Sequence, residues 1–163
     1  MIYLDHNATS RPCPQATQAM RRACDSAWAN PSSMHRAGQE ARREIDLARS
    51  QIAELIDAAP REIIFTSGAT EANNLAIRGV IDASHIKKPV IITSTIEHES
   101  IRDLCDQLER RGRAEIRRLP ATTDGVIDFS PLEAMLDESV AIVSVMWANN
   151  ETGAIQPIDQ IGS

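Results

Sequence analysis

The chain has 163 residues, a formal net charge of −6 and 42% hydrophobic residues. This length accommodates one ordinary domain with a hydrophobic core, and the composition is typical of a soluble globular protein. The acidic balance argues against a nucleic-acid partner, which usually meets a basic face. The sequence holds no apolar run of about 20 residues and does not begin like a secretory signal, so no membrane partner and a cytoplasmic location are predicted.

Apolar periodicity predicts strands that alternate with helices after an extended leader at residues 1–13. In chain order the predicted elements are two helices (14–29 and 35–56), a strand (62–66), a helix (69–83), a strand (90–94), a helix (99–111), a strand (115–119), a short extended piece (126–129), a short helix (131–136) and a strand (140–148). This alternation is typical of βαβ units, and the apolar run AIVSVM suits a strand covered on both faces. We therefore predict an α/β fold with a mostly parallel sheet and helices on both faces.

Three of the predicted strands are followed by small or polar residues, in the stretches SGATEANN, TIEHES and NNETG. Ligands of open α/β sheets bind outside the carboxyl ends of the strands. One such loop is expected by chance, whereas three at the same edge of a sheet indicate a binding site.

The turn at Gly68 and Thr70 has two interpretations of equal weight. Backbone N–H groups at the start of a helix, with the Thr70 hydroxyl beside them, form an anion site. A connection between a strand and a helix also commonly needs a glycine, and Glu71 is placed to cap the same helix. The stretch matches neither a Walker loop nor GxGxxG.

Among the four histidines, His98 alone has a position that favours function, because it follows the predicted strand 90–94 inside the predicted site. His85 is expected to face solvent, and spacing decides nothing for His6 and His35. The amides of Asn149 and Asn150 follow the last strand, where asparagines either form the turn or donate to a ligand.

The cysteines and lysines limit the chemistry that the chain can perform. Cys13, Cys24 and Cys105 are far apart, without a CxxC pair or a Cys/His spacing, so we predict reduced thiols and no metal site. The two lysines are adjacent at Lys87 and Lys88, at the amino end of a predicted strand.

Five motifs occur together in the order known from one enzyme family: YLDHNAT, NPSSMHRAG, IIFTSGATEANNLAI, TIEHES and NNETGAIQPI. In these stretches the chain resembles the cysteine desulfurases, within the class V aminotransferase-like group of pyridoxal-phosphate enzymes. The resemblance implies that residues 14–163 form part of the large domain of a fold-type I enzyme.

The resemblance also implies roles for individual residues. Ala69 and Thr70 would hold the phosphate of pyridoxal phosphate, and His98 would stack on its ring and move protons. Asn150 would contact the ring hydroxyl. Residues 7–9 and 30–33 would lie near the substrate entrance.

The family's Schiff-base lysine, pyridinium acid and persulfide cysteine match no residue of this sequence. The chain is therefore expected to be an inactive N-terminal part of an enzyme that converts L-cysteine to alanine and an enzyme persulfide. A homodimer and a sulfur-acceptor protein are the expected partners, with iron–sulfur assembly, transfer-RNA thiolation or DNA sulfur modification downstream, and the isolated chain is expected to self-associate. The alternatives are another class V enzyme, such as selenocysteine lyase or an aminotransferase, or a naturally short non-catalytic binding module.

Overall fold

A computed structural model of the chain describes residues 2–161, apart from the side chain of Gln160. The chain divides into two compact units, one ending at Phe65 and one starting at Thr66. The division at residue 13 that the sequence suggested stays a prediction. No helix in the described range is long and apolar enough to cross a bilayer.

The first unit is built from two helices that pack against each other, α1 (Pro14–Ser26) and α2 (Arg36–Leu55). Helix α1 starts with proline, whose fixed φ suits the first turn, and the Cys13 thiol accepts a hydrogen bond from the N–H of Ala16. Helix α2 is capped by His35, whose Nδ1 accepts from the N–H of Gly38 at 3.2 Å. The spacing left the role of His35 open, and the structure shows it to be an N-cap.

The predicted strand at residues 62–66 is wrong. Pro60–Glu62 form a turn of 3₁₀ helix, and the N–H of Ile63 donates back into that turn. The carbonyl of Ile63 accepts from the guanidinium of Arg49, which also lies 5.1 Å from the centre of the Phe65 ring. These contacts occupy the backbone groups of Ile63 that a strand partner would need, and they tie this residue to α2 and to the preceding turn.

The second unit contains a parallel sheet of three strands, β1 (Val90–Ser94), β2 (Glu115–Leu119) and β3 (Val140–Ser144), in the order β2-β1-β3. Its helices are α3 (Ala69–Ala83), α4 (Glu99–Arg110) and the short α5 (Leu132–Met135). All five residues of β1 are buried. The predicted α/β fold with a parallel sheet is confirmed.

Two apolar clusters cover the faces of β1. Ile91 packs with the inner faces of α3 and α4, including Ile77 and Leu104. Val90 and Ile92 pack on the other side with a group that includes Leu132 of α5. Helices therefore lie on both faces of the sheet, as predicted, and the central strand is a continuous apolar run because neither of its faces meets water.

The last strand ends earlier than predicted, at Ser144 rather than at residue 148. The N–H of Met146 donates to the carboxylate of Glu97 at 2.8 Å, and Ala148 pairs with Ile155 in an isolated antiparallel bridge. A side chain and a hairpin thus take over the hydrogen bonds that a longer β3 would have given to the sheet.

Gln156 joins two hairpins that follow the strands. Its side chain is 1% exposed. The side-chain oxygen accepts from the N–H of Ile127 at 2.7 Å, and the side-chain nitrogen donates to the carbonyls of Gly125 and Ala154 at 3.1 and 3.2 Å. The bonds to Ile127 and Gly125 therefore fix one hairpin against the other, and the bond to Ala154 holds the amide against its own hairpin.

Candidate functional site

The predicted site residues meet around His98 in the second unit. A cavity of about 410 Å³ lies between α3 and α4, and Thr70, Arg78 and His98 are among the residues that line it. A neighbouring cavity of about 510 Å³ is lined by the loops after β1 and β3, with His98 and Asn150 in its walls. Both volumes are typical of small-molecule sites. Ala69 lines neither cavity and lies beside Thr70 at the start of α3.

The first of the three predicted loops reaches this site without a strand before it. The loops after β1 and β3 do leave the same edge of the sheet, since Thr93 pairs with Ser144 at the ends of these two strands. The loops that carry His98 and Asn150 thus leave one edge of the sheet, as the strand-end rule predicts, whereas Thr70 arrives there because α3 packs on the sheet.

In the described part of the chain, the first backbone N–H groups of α3 have no hydrogen-bond acceptor. The N-cap is Gly68, and no side chain in the described residues caps this helix. The backbone of Gly68 is extended, with φ 166° and ψ −179°, which any residue adopts, so the turn itself does not require glycine. A Cβ at this position would meet no described atom within 4 Å, and the space in front of the helix is therefore open to a ligand.

The sequence suggested that Glu71 caps α3, but in the structure its carboxylate binds Ser67, just before the helix. Its carboxylate accepts from the hydroxyl of Ser67 at 2.6 Å and from the N–H of Ser67 at 2.7 Å. Both bonds lower the pKa of the Glu71 carboxyl, and the bond from the Ser67 hydroxyl has the larger effect. Glu71 thus shapes the segment before α3 and does not occupy the first N–H groups of the helix.

Arg78 supplies a fixed positive charge in the same cavity. Its Nη2 donates to the side-chain oxygen of Gln107 at 2.5 Å, and its Nε donates to the side-chain oxygen of Asn74 at 3.3 Å. Asn74 in turn donates to the carbonyl of Thr70 at 2.9 Å. These bonds link the start of α3 to α4 and hold the guanidinium in place.

His98 is the N-cap of α4. Its Nδ1 accepts from the backbone N–H of Ser100 at 3.1 Å and lies 2.9 Å from the Ser100 hydroxyl. That hydroxyl also accepts from the Nδ2 of Asn73, on α3, at 2.9 Å. One edge of the imidazole is therefore bound into the protein, while the ring is exposed and lines both cavities.

The two neighbouring asparagines have different surroundings. The side-chain oxygen of Asn149 accepts from the N–H groups of Glu151 and Thr152, both at 2.9 Å. Its nitrogen donates to the carbonyl of Ile96 at 3.3 Å. Asn149 thus forms the turn and ties it to the loop after β1, and the turn places Asn150 in the wall of the second cavity.

Comparisons with known proteins agree with this arrangement. The family model described as aminotransferase class-V matches residues 2–163. The chain therefore belongs to the aminotransferase class-V family. The cysteine desulfurase IscS of Pectobacterium carotovorum subsp. carotovorum is 47% identical over 164 residues, which are 99% of this chain and 40% of that protein.

Two solved structures resemble this class-V chain closely. A NifS-like protein has a TM-score of 0.91 and 34% identity, over 98% of this chain and 44% of that one. SspA in complex with cysteine has a TM-score of 0.88 and 34% identity, over 98% of this chain and 46% of that one. This chain spans about 40% of the length of the curated relative above, and its resemblance to the family is confirmed.

Sequence reasoning missed several residues of the site in the class-V chain. Asn74 and Arg78 follow Thr70 at intervals of four residues, which places all three on one face of α3, so helical spacing alone would have found them. Ser100 and Asn73 are visible only in the structure, because their contact joins two helices.

Glu97 was also missed, although it connects two of the loops. Its side chain is 7% exposed, and one carboxylate oxygen accepts from the hydroxyl of Ser94 at 2.7 Å and from the N–H of Met146 at 2.8 Å. Burial raises the pKa of the Glu97 carboxyl despite these two bonds. The carboxylate thus ties the end of β1 to the segment that follows β3.

We expect the variant Glu97→Gln to gain stability over the wild type as the pH rises. The amide keeps an oxygen for both bonds and carries no buried charge. Because the folded-state pKa of Glu97 lies above its usual value of 4.5, its stabilising contribution is present below that pH and is lost as the pH rises through the folded-state pKa. Urea unfolding between pH 4 and 8 measures the difference in the free energy of unfolding.

The control is Glu99→Gln, which makes the same exchange at an exposed neighbour and removes no buried charge. A difference between Glu97→Gln and wild type that stays constant over this pH range would contradict the assignment.

Proposed function

We propose that this chain forms the phosphate-binding and ring-facing part of a pyridoxal-phosphate-dependent cysteine desulfurase. The complete enzyme would remove sulfur from L-cysteine and give alanine and an enzyme persulfide. The observation that carries the proposal is the uncapped start of α3, which shares one cavity with Arg78 and His98. Relatives that bear the name cysteine desulfurase and a similar structure determined with cysteine support the substrate.

The residues present fit the phosphate of this cofactor. The backbone N–H groups of Ala69 and Thr70 and the Thr70 hydroxyl are suited to phosphate oxygens at a helix N-terminus. The guanidinium of Arg78 adds a positive charge that is already oriented by two hydrogen bonds. Because Glu99 and Asp103 also line this cavity, the place suited to an anion is the start of α3, where the helix N-terminus supplies the positive potential.

His98, which lines both cavities, and Asn150, which lines the second, suit an aromatic ring with polar substituents. His98 would stack on the ring with its imidazole, and Asn150 would donate or accept at the ring hydroxyl. When bound, pyridoxal phosphate supplies an electron sink for bonds broken at the substrate's α-carbon and β-carbon. His98 would hold and pass a proton at Nε2, because its Nδ1 is engaged by Ser100.

The remaining catalytic groups are not assigned to residues of this chain. Lys88 lies at the amino end of β1, away from His98, and pairs with Glu115 at 3.6 Å. Cys105 is fully buried, and burial raises the pKa of its thiol to about 11, which disfavours the thiolate that a nucleophile needs. We propose that the lysine, the pyridinium acid and the persulfide cysteine belong to the part of the enzyme that relatives contain and this chain does not span.

The same proposal includes a homodimer, a sulfur-acceptor protein, a role in iron–sulfur assembly and a cytoplasmic location. Exposed apolar side chains on α3, Leu75 and Val80, support association. The free thiols Cys13, Cys24 and Cys105 are usual in a reducing compartment. Sedimentation velocity of the chain tests the association, and a monodisperse monomer would count against it.

A titration with pyridoxine 5′-phosphate tests the proposed phosphate site. This probe has the ring and the phosphate of the cofactor and no aldehyde, so it cannot react with lysines. We expect the amide signals of Ala69 and Thr70 to shift in heteronuclear NMR spectra and to shift far less with pyridoxine, which lacks the phosphate. Equal effects of the two compounds would contradict the proposal.

Two variants at one position separate the hydroxyl from the backbone contribution. Thr70→Val removes the hydroxyl and keeps a similar side-chain volume. We expect it to weaken the binding of pyridoxine 5′-phosphate about tenfold, which corresponds to the loss of a hydrogen bond to a charged group of about 1.5 kcal/mol. Thr70→Ser keeps the hydroxyl and is expected to bind as the wild type does. Loss of affinity in both variants would assign the effect to packing instead.

A further inference from the structure

A chain of hydrogen bonds runs from α3 to the imidazole of His98. We propose that Asn73 and Ser100 are positioning residues that hold His98 in the tautomer with its proton on Nε2, so that only Nε2 is left to form a hydrogen bond with a ligand. The meaning of this tautomer for catalysis rests on the proposed function. The tautomer itself is a property of the chain's own residues and is measurable without the cofactor.

The backbone of Ser100 sets the first condition. Its N–H group donates to Nδ1 of His98 at 3.1 Å, and a backbone N–H is always a donor. A neutral imidazole has one protonated and one unprotonated nitrogen. Nδ1 is therefore the acceptor, and the proton resides on Nε2.

The side chain of Ser100 sets the second condition through Asn73. The Nδ2 of Asn73 donates to the Ser100 hydroxyl oxygen at 2.9 Å, and an amide nitrogen is a donor only. The hydroxyl is thereby left to donate its own proton to Nδ1 of His98, also at 2.9 Å. Because Ser100 is 9% exposed, water competes little for this hydroxyl, and donors from the backbone and from the side chain converge on Nδ1.

This arrangement couples the two halves of the candidate site. Asn73 lies on α3, one turn after Ala69 and Thr70, and Ser100 lies in the first turn of α4. A displacement of α3 would therefore change the donor that the Ser100 hydroxyl faces. In the proposed enzyme the phosphate-binding helix would in this way fix the nitrogen at which His98 donates or accepts a proton.

His35 provides an internal reference. It caps α2 in a similar manner, with Nδ1 accepting from the N–H of Gly38 at 3.2 Å. The described residues provide no hydroxyl donor to this ring beside that N–H. His35 thus shows the effect of the backbone donor alone, and any difference between the two rings measures the contribution of the Ser100 hydroxyl.

The test is the ¹⁵N chemical shift of both ring nitrogens in the histidine-labelled chain, measured at pH about 9, where an ordinary imidazole is neutral. In the wild type we expect His98 to have a fully unprotonated Nδ1 and a protonated Nε2. Ser100→Ala is expected to move the Nδ1 shift of His98 toward that of His35. Ser100→Thr retains the hydroxyl and is expected to restore the wild-type value.

A second variant reverses the direction of the hydrogen bonds. In Asn73→Asp the carboxylate accepts the Ser100 proton, so a hydroxyl lone pair faces Nδ1 and a measurable share of Nδ1–H is expected. Gln107→Glu is the control, because it adds the same charge between α3 and α4, lines the cavity beside His98 and keeps an oxygen for Arg78. Its His98 shifts are expected to stay as in the wild type.

A proton on Nδ1 in the wild type would overturn the proposal, as would unchanged shifts in both Ser100→Ala and Asn73→Asp. If one of these variants does not fold, which its amide spectrum shows directly, the other carries the test. The titration with pyridoxine 5′-phosphate is independent of the tautomer. Failure of the phosphate site and failure of the positioning pair are therefore seen in separate measurements.

Discussion

Replacing Gln156 with leucine is expected to lower the free energy of unfolding by about 3 kcal/mol, because leaving a buried polar group without a partner costs about 1 to 3 kcal/mol. The substitution replaces the amide with an apolar side chain of similar size and removes all three hydrogen bonds of the amide. The N–H of Ile127 and the carbonyls of Gly125 and Ala154 lose their side-chain partner. Chemical denaturation monitored by circular dichroism measures the loss.

The same exchange at an exposed position provides the control. Gln15 lies on the exposed surface of α1, and Gln15→Leu is expected to change stability by no more than about 0.5 kcal/mol. If Gln156→Leu were as stable as Gln15→Leu, the two hairpins would have to be held together by something other than this amide.

Gly38→Ala is expected to destabilise the first unit by about 1 to 3 kcal/mol, the usual effect of overpacking. A Cβ on Gly38 would lie 2.5 Å from the carbonyl oxygen of Ser33 and 2.7 Å from that of Asn30. Both atoms belong to a compact turn in which Ser33 donates to the carbonyl of Asn30 at 3.0 Å. Either this turn or α2 must move to admit the methyl group.

Gly79→Ala is the matched control, because it makes the same change inside another helix. Gly79 is exposed on α3, and a Cβ there meets no described atom within 4 Å. Alanine is the better helix former, so a gain of about 0.5 to 1 kcal/mol is expected. The two variants should therefore shift the denaturation midpoint in opposite directions, and a gain in both would show that the turn at Asn30 yields easily.

The elements that sequence predicted best are those whose local pattern agrees with their burial. Helix α3 and strands β1 and β2 have the predicted bounds, because each is a short periodic or apolar segment between clear turn signals. The predicted strand 62–66 carried the same apolar signal. It failed because the side chain of Arg49, 14 residues earlier in the chain, takes the carbonyl of Ile63, which local patterns do not show.

The site was predictable to the extent that strand ends define it. Thr70 and His98 line one cavity, and His98 and Asn150 line the next, while the roles assigned to them and to Ala69 stay predictions. The partners that orient His98 could not be predicted from the sequence, because the bond between Asn73 and Ser100 joins residues 27 positions apart. Such contacts depend on how α3 and α4 pack.

The central strand β1 precedes both of its neighbours in the chain. As synthesis proceeds from the N-terminus, β1 has no strand to pair with until β2 emerges, and its second edge stays bare until β3 follows. The helical pair α1 and α2, in contrast, needs only contacts that are close in sequence, which form fast. The apolar segment VIIT thus has both edges unpaired until Glu115–Leu119 has been made, which gives a chaperone time to bind it.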